Sequence, residues 1–289
     1  MPAPSDLDPA PSSLDIEWLG LREGRRIDYQ WAWDYQRSVH ARVASGELPG
    51  RVLLLEHQPV YTAGRQTLAE ERPFDGTPVI DVDRGGKITW HGPGQLVGYP
   101  IITLPGRIGV VDHVRRMEQA VIDMLAELGI AGRRVEGRTG VWLPAVGAAP
   151  LTASGPDIPD AAGREHSSAG QHEEPETSEG AGRAYDSVPL SLRNVVATPG
   201  RPERKICAIG IRVARRTTLH GFAVNVSNGN AAFENIIPCG ISDAGVTSIA
   251  AELGDAPPLA EVARLLEPHL RRCCDYATPL ADVLSPPAS

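Results

Sequence analysis

Apolar side chains return every fourth position from Ile27 through Trp31, Tyr35 and Val39 to Val43. Such positions share one helical face, so the spacing predicts an amphipathic helix. A second helical face, formed by Val110, Val114, Met117, Val121, Leu125 and Leu128, runs up to Gly129, a residue suited to ending a helix. Shorter runs lie between them. Arg51 to Leu55 is apolar up to Glu56-His57-Gln58-Pro59 and reads as a buried strand. Val79 to Val82 and Lys87 to Trp90 flank the turn-prone Asp83-Arg84-Gly85-Gly86, which predicts a hairpin. Val97 to Leu104 predicts a strand or strand pair, and Val141 to Leu143 a strand stub. Ile206 to Val213 and Leu219 to Val226 read as neighbouring strands, while 246–253 and 259–273 carry helical periodicity. This order predicts an α+β domain with a mixed sheet flanked by helices, without the regular alternation of a doubly wound fold.

Two stretches break the pattern. Residues 1–13 are rich in Pro, Ser and Asp and read as a disordered tail, followed by a domain over 14–280 and a second tail at 281–289. From about Ala145 to Pro202 the chain turns to Gly, Ala, Ser, Pro and Glu, with Tyr185 its only aromatic. Such a segment cannot bury enough apolar area to offset its ordering entropy, so a disordered insertion is expected at 145–202. Val188 to Val196 is the part least suited to that reading.

Composition narrows the function classes. Of the 289 residues 42% are hydrophobic, enough for a core, and the formal net charge of -8 argues against a general nucleic-acid binder. No apolar run reaches the roughly 20 residues that span a bilayer, and the N-terminus lacks the charged and apolar regions of a secretory signal. The four cysteines show no CxxC spacing, which indicates neither a zinc site nor a disulfide framework. A cytoplasmic protein with reduced thiols is expected.

The candidate chemistry centres on the run from Arg84 to Pro100, where five glycines stand among Arg84, Lys87, His91 and Gln95. Glycine lets a ligand approach the backbone closely, so this run reads as a substrate-lining loop. Its Gly92-x-Gly94-x-x-x-Gly98 spacing is not a dinucleotide fingerprint, because Pro93 and the β-favouring residues after it do not open a helix. Cys239, between Pro238 and Gly240, suits a fixed and exposed nucleophile; the alternative is a small buried residue. Lys205, at the start of an apolar strand, suits proton transfer if partly desolvated; the alternative is a solvated strand end. His91 and His220 are alternative bases. Cys207, Cys273 and Cys274 are better explained by packing. The arginines at 133, 134 and 138 and at 212, 215 and 216 are either solvated faces or a small patch for an acidic partner.

Taken together, these segments resemble the octanoyl-[acyl-carrier-protein]:protein octanoyltransferases, the lipoyl/octanoyl transferases of the lipoate-protein ligase B family. The resemblance rests on Arg84-Gly85-Gly86 through His91-Gly92-Pro93-Gly94-Gln95, on Lys205 before Ala208-Ile209-Gly210, on His220-Gly221-Phe222, on Asn225, and on Pro238-Cys239-Gly240. It covers roughly Trp18 to Cys273 apart from the insertion, and implies a single catalytic domain like that of the biotin/lipoate protein ligases. It further implies that Cys239 is the acyl-accepting nucleophile and that Lys205 lowers its pKa. The acyl pocket is implied to include Arg84, Gly85, Gly86, Lys87, Ile88, Thr89, Trp90 and His91, with Ala208, Ile209 and Gly210, and with His220, Gly221 and Phe222. Trp90 stands where a tyrosine is expected and preserves an aromatic wall. The implied donor is octanoyl-acyl carrier protein. The implied acceptors are lipoyl domains of 2-oxoacid dehydrogenase complexes and the glycine cleavage H protein. No cofactor or metal is implied, and the chain is expected to act as a monomer. The alternatives are an ATP-dependent lipoate or biotin ligase of the same superfamily and a non-catalytic acyl- or carrier-binding module.

Overall fold

A computed structural model describes residues 14–73, 77–145, 202–236 and 244–285. The expected tail over 1–13, nearly all of the expected insertion over 145–202, and Pro238-Cys239-Gly240 lie outside the described residues. The elements run β1 (Asp15–Leu19), α1 (Tyr29–Ala44), β2 (Arg51–Leu55), β3 (Val60–Ala63), β4 (Val79–Asp81), β5 (Thr89–His91), β6 (Gln95–Ile101) and α2 (Val110–Glu127). There follow β7 (Arg133–Val135), β8 (Arg138–Leu143), β9 (Arg204–Ala214), β10 (Thr217–Asn225), α3 (Ala231–Glu234), β11 (Gly245–Val246), α4 (Ile249–Leu253), α5 (Leu259–Cys273) and α6 (Leu280–Leu284).

An eight-stranded sheet is ordered β1-β2-β6-β10-β9-β8-β7, with β11 also on β9. The β1/β2 and β11/β9 pairs are parallel, and the other pairs are antiparallel. The continuous apolar run of β2 has a direct cause. Successive strand side chains point to opposite faces, and both faces of this sheet are covered. Leu53 and Leu55 join Val97, Tyr99, Ile101 and Ala223 against Ala32, Val39 and Val43 of α1. Val52 and Leu54 join Leu96, Phe222 and Val224 on the other face, against Met117, Val121 and Leu125 of α2 and Val262, Leu266 and Leu270 of α5. The helical periodicities read from the sequence match these coverings at Val39, Val43, Met117, Val121 and Leu125, whereas Trp31 and Val110, expected on the same faces, are exposed. None of the described helices is long and apolar enough to cross a membrane.

A second sheet is ordered β4-β3-β5, and it corrects one expectation. Residues 79–82 and 87–90 do not pair as a hairpin. β3 lies between β4 and β5, parallel to the first and antiparallel to the second. The buried Arg84 guanidinium holds the connecting turn on β3, donating to Thr62 O at 2.8 Å and Thr62 Oγ1 at 3.0 Å. At the C-terminus, residues 281–284 of the expected tail lie in α6, where Val283 is fully buried.

Candidate active site

The strands and the 84–87 turn surround a cavity of about 450 Å³. Of the residues expected in the pocket, 84–87, Thr89 and His91, 208–210, and 220–222 line it, as does Lys205. Ile88 and Trp90 do not. They pack into a separate apolar cluster with Tyr61, Phe233 and Ile236, and Trp90 meets Phe233 edge-on at 5.7 Å. The reason is the period of a strand: Thr89 and His91 point one way, so their neighbours point the other. Gly98 lets the Phe222 ring lie against β6, since a Cβ there would lie 2.1 Å from Phe222 Cζ.

Neither cation of the turn is aimed at a ligand. Arg84 also donates to Lys87 O at 2.7 Å and Gly85 O at 3.1 Å. Lys87 is ion-paired with the buried Glu71. Buried charges need such partners, and here they fix the shape of the turn.

Three histidines and two tyrosines bear on the cavity floor. His57 hydrogen-bonds Ile27 O through Nδ1 at 3.0 Å, so its Nε2 accepts from Tyr99 OH at 2.7 Å. His91 Nδ1 faces Gln95 Oε1 at 2.8 Å, and Tyr29 stacks on its ring at 6.1 Å. His220 Nε2 lies 2.7 Å from Asp83 Oδ1; the carboxylate can only accept, so Nε2 carries the proton. Burial pushes the histidine pKa values down, to about 4 for His57 and about 3 for His91 and His220. At His220 the Asp83 carboxylate pulls the other way. It is shared with Arg212, and burial together with the Arg84, Arg212 and Arg37 guanidiniums prevails. Burial lifts Tyr29 to about 12. The floor is therefore polar but uncharged at neutral pH.

Lys205 stands near the start of β9, half-buried, with Nζ 5.0 Å from the centroid of the Trp142 ring. Its stem passes over Gly140, where a Cβ would lie 2.7 Å from Lys205 Cε and 2.3 Å from Cys207 O. Gly140 has φ +111°, which a side chain would strain. Its N–H donates at 3.0 Å to Glu118 Oε1, a fully buried carboxylate whose other oxygen is held by Arg115 and Arg134. A chain of contacts thus runs from two arginines through Glu118 and Gly140 to the lysine.

A narrower cleft shares Thr89, Lys205 and Ala208 with the cavity and adds Gln95, Trp142, Asn225, Phe233 and 244–246. Asn225 ties its edges together, donating to Thr247 O at 3.0 Å and accepting from Gln95 Nε2 at 2.9 Å. Cys239 and the lysine–cysteine separation lie outside the described residues. Cys207, Cys273 and Cys274 are buried, and burial pushes the Cys207 thiol to about 12 and the Cys273 thiol to about 11. Of the arginine clusters, Arg133 pairs with Glu203, Arg212 with Asp83, and Arg216 donates to Leu104 O and Pro105 O.

Sequence reasoning did not single out Tyr29, His57, Tyr99, Asp83, Gly140 or Trp142 for the site. Only Tyr99 carried a readable signal, sharing strand parity with Val97 on the cavity side.

A mixed sheet with helices on both faces, beside a glycine-lined cavity, defines an α+β ligase-like domain. Residues 28–271 match the family described as the lipoyl protein ligase A/B catalytic domain, and the chain belongs to that family. The octanoyltransferase of Streptomyces coelicolor is 50% identical over 265 residues, covering 87% of this chain and 90% of that protein. The octanoyltransferase of Cutibacterium acnes is 46% identical over 275 residues, covering 92% and 82%. Within the family this chain groups with these proteins, and it is an acyltransferase. The fold is shared with a bi-partite lipoate protein ligase from Thermoplasma acidophilum, at TM-score 0.53 and 12% identity over 90% of this chain and 84% of that one. It is also shared with lipoate-protein ligase A bound with ATP, at TM-score 0.53 and 13% identity over 90% and 85%.

Proposed function

We propose that this chain moves an octanoyl group from octanoyl-acyl carrier protein to the lysine of lipoyl domains through a thioester on Cys239. The acceptors are the lipoyl domains of 2-oxoacid dehydrogenase complexes and the glycine cleavage H protein; the enzyme works in the cytoplasm as a monomer, without a cofactor. One observation carries the reading: a cavity of about 450 Å³, floored by neutral histidines and tyrosines, has the Lys205 side chain in its wall. That volume lies within the ~300–1,000 Å³ of small-ligand sites. At about 0.8 kcal/mol per buried CH₂, an octanoyl chain draws roughly 5 kcal/mol from burial alone, and a neutral floor imposes no charge penalty on it.

The chemistry follows from the groups. Lys205 takes the Cys239 thiol proton, and the thiolate attacks the thioester carbonyl. The carrier thiolate leaves and regains a proton from the Lys205 ammonium. A lipoyl-domain lysine then enters as the free amine and attacks the acyl-cysteine; the carbon–sulfur bond breaks, the Cys239 thiolate leaves, and the proton lost as the amide forms passes through Lys205 to that thiolate. Thioester to amide is downhill, so no nucleotide enters the balance. Mixing the protein with octanoyl-acyl carrier protein should give an octanoyl adduct on Cys239 by mass spectrometry, and Cys239→Ser should abolish transfer. Transfer that requires ATP, or that survives Cys239→Ser, would favour a ligase and refute the scheme.

A further inference from the structure

A chain of hydrogen bonds joins His91 to the backbone of Lys205, and both residues line the cavity. Its middle is two buried amides, Gln95 and Asn225, which stand opposite each other on β6 and β10. An amide side chain has one acceptor oxygen and one donor nitrogen of nearly the same shape, so its neighbours decide which way it faces. Backbone carbonyls decide it here. Thr247 O can only accept, which sets Asn225 Nδ2 against it at 3.0 Å and turns Asn225 Oδ1 the other way. That oxygen accepts from Gln95 Nε2 at 2.9 Å and from Asn228 Nδ2 at 3.2 Å. Gln95 Nε2 also donates to Trp90 O at 3.3 Å, which leaves Gln95 Oε1 for His91 Nδ1 at 2.8 Å. An amide oxygen cannot donate, so the His91 proton sits on Nδ1 and the lone pair on Nε2. At the other end Thr247 N–H donates to Lys205 O at 3.0 Å, next to the pairing of Val246 with Lys205. Every bond donates in the same direction, from His91 towards Lys205, and bonds aligned in this way polarise one another.

We propose that Asn225 is a positioning residue of the transfer site: its oxygen side sets the tautomer of His91, and its nitrogen side holds the backbone that carries Lys205. The proposal rests on the transfer reading above. Asn225 acts through Gln95 and Thr247 and not on the acyl group, so its two roles can be cut separately. Asn225→Leu keeps the branching of the side chain and removes both roles. Asn225→Asp, ionised at neutral pH, still accepts from Gln95 but has nothing to donate to Thr247 O.

The test pairs nitrogen NMR of histidine-labelled protein with octanoyl transfer from carrier protein to a lipoyl domain. The His91 signals are assigned by their loss in His91→Gln. The two ring nitrogens of a neutral histidine are distinct, and wild-type His91 is expected to show the Nδ1–H form alone. In Asn225→Leu the two signals should move towards each other as Gln95 loses its fixed sense, and in Asn225→Asp they should stay. For both variants kcat should fall about tenfold with KM for the carrier little changed, a loss short of the 10²-fold that a misplacement of about 1 Å costs. Lowered stability alone moves neither the ring signals nor kcat of the folded fraction. Should Asn225→Leu fold poorly, Gln95→Met frees His91 in its place, and Asn225→Asp still reads the Lys205 side. Ring signals unmoved in Asn225→Leu or Gln95→Met would overturn the proposal, as would a kcat within about threefold of wild type in folded Asn225→Asp. Absence of transfer by the wild type would sink the transfer reading itself, whereas normal transfer by the variants sinks this proposal alone.

Discussion

Gly140→Ala tests whether the glycine beneath the lysine stem sets the position of Lys205. The new Cβ would lie 2.7 Å from Lys205 Cε and 2.3 Å from Cys207 O. Carbon atoms pack at about 3.5–4.0 Å, so the lysine must yield by roughly 1 Å. The contact with Cys207 O is with backbone and cannot be relieved by a rotamer. Holding a non-glycine residue at φ +111° adds about 1–3 kcal/mol of strain. A misplacement of about 1 Å costs on the order of 10²-fold in rate, so kcat/KM for octanoyl transfer should fall by about that factor. The strain alone should lower Tm by several degrees, at roughly 2–4 °C per kcal/mol for domains approaching this size. The assay is transfer at about 20 °C, followed by thermal unfolding of the same samples. A variant that melts lower but transfers within threefold of wild type would refute the positioning argument and leave Gly140 a purely structural residue.

Two further outcomes are expected. His57, His91, His113 and His220 have folded pKa values of about 4, 3, 3 and 3, all below the unfolded value of about 6.5. The unfolded chain therefore binds the extra protons. Stability is complete above about pH 6.5 and falls as pH drops towards the folded values, by up to about 2 kcal/mol per histidine at pH 5. Denaturant midpoints at pH 7 and pH 5 measure this, and a midpoint that does not fall on acidification contradicts the buried neutral rings. Trp90→Ala should cost about 3–5 kcal/mol of stability while the folded fraction keeps kcat/KM within a few-fold, since Trp90 packs on Phe233 outside the cavity. A selective rise in KM with normal stability would return Trp90 to the acyl pocket.

The parts of the fold legible in the sequence were those with a period long enough to fix a face. The helical spacing from Ile27 to Val43 and the one from Val110 to Leu128 each map onto a helix that covers one face of the sheet. The strands at 206–213 and 219–226 pair with each other, as their short polar connection implied. Pairing between distant segments was not legible. Residues 79–82 and 87–90 carry strand propensity, but propensity does not name a partner, and β3 takes the place between them. Ile88 and Trp90 were separable in principle, because the strand reading over 87–90 already implies that Thr89 and His91 face the opposite way. The Glu118–Gly140–Lys205 chain was not. It joins residues from a helix and two strands, and nothing local to any of them reports the others.

The distribution of charge around the cavity bears on which acyl chemistry the site suits. Activating an acid through an adenylate places a phosphate in the pocket, and a buried phosphate needs cations and donors aimed at it. The glycine-rich turn has two such cations, and both face inward to protein. Arg84 is held by Thr62, Gly85 and Lys87 carbonyls, and Lys87 by Glu71. Releasing Arg84 would take a donor from three carbonyls and unpin the turn from β3, which leaves Lys205 and Arg138 as the other cations of the lining. Nearby, the histidines are held neutral by burial, and Asp83 is matched by Arg212 and His220. A thioester asks for none of this. It arrives uncharged and already activated, and its transition state needs one proton acceptor and a few donors near the carbonyl. The demand for a proton acceptor falls on the Lys205 end of the cavity, where that half-buried side chain stands beside the Trp142 ring.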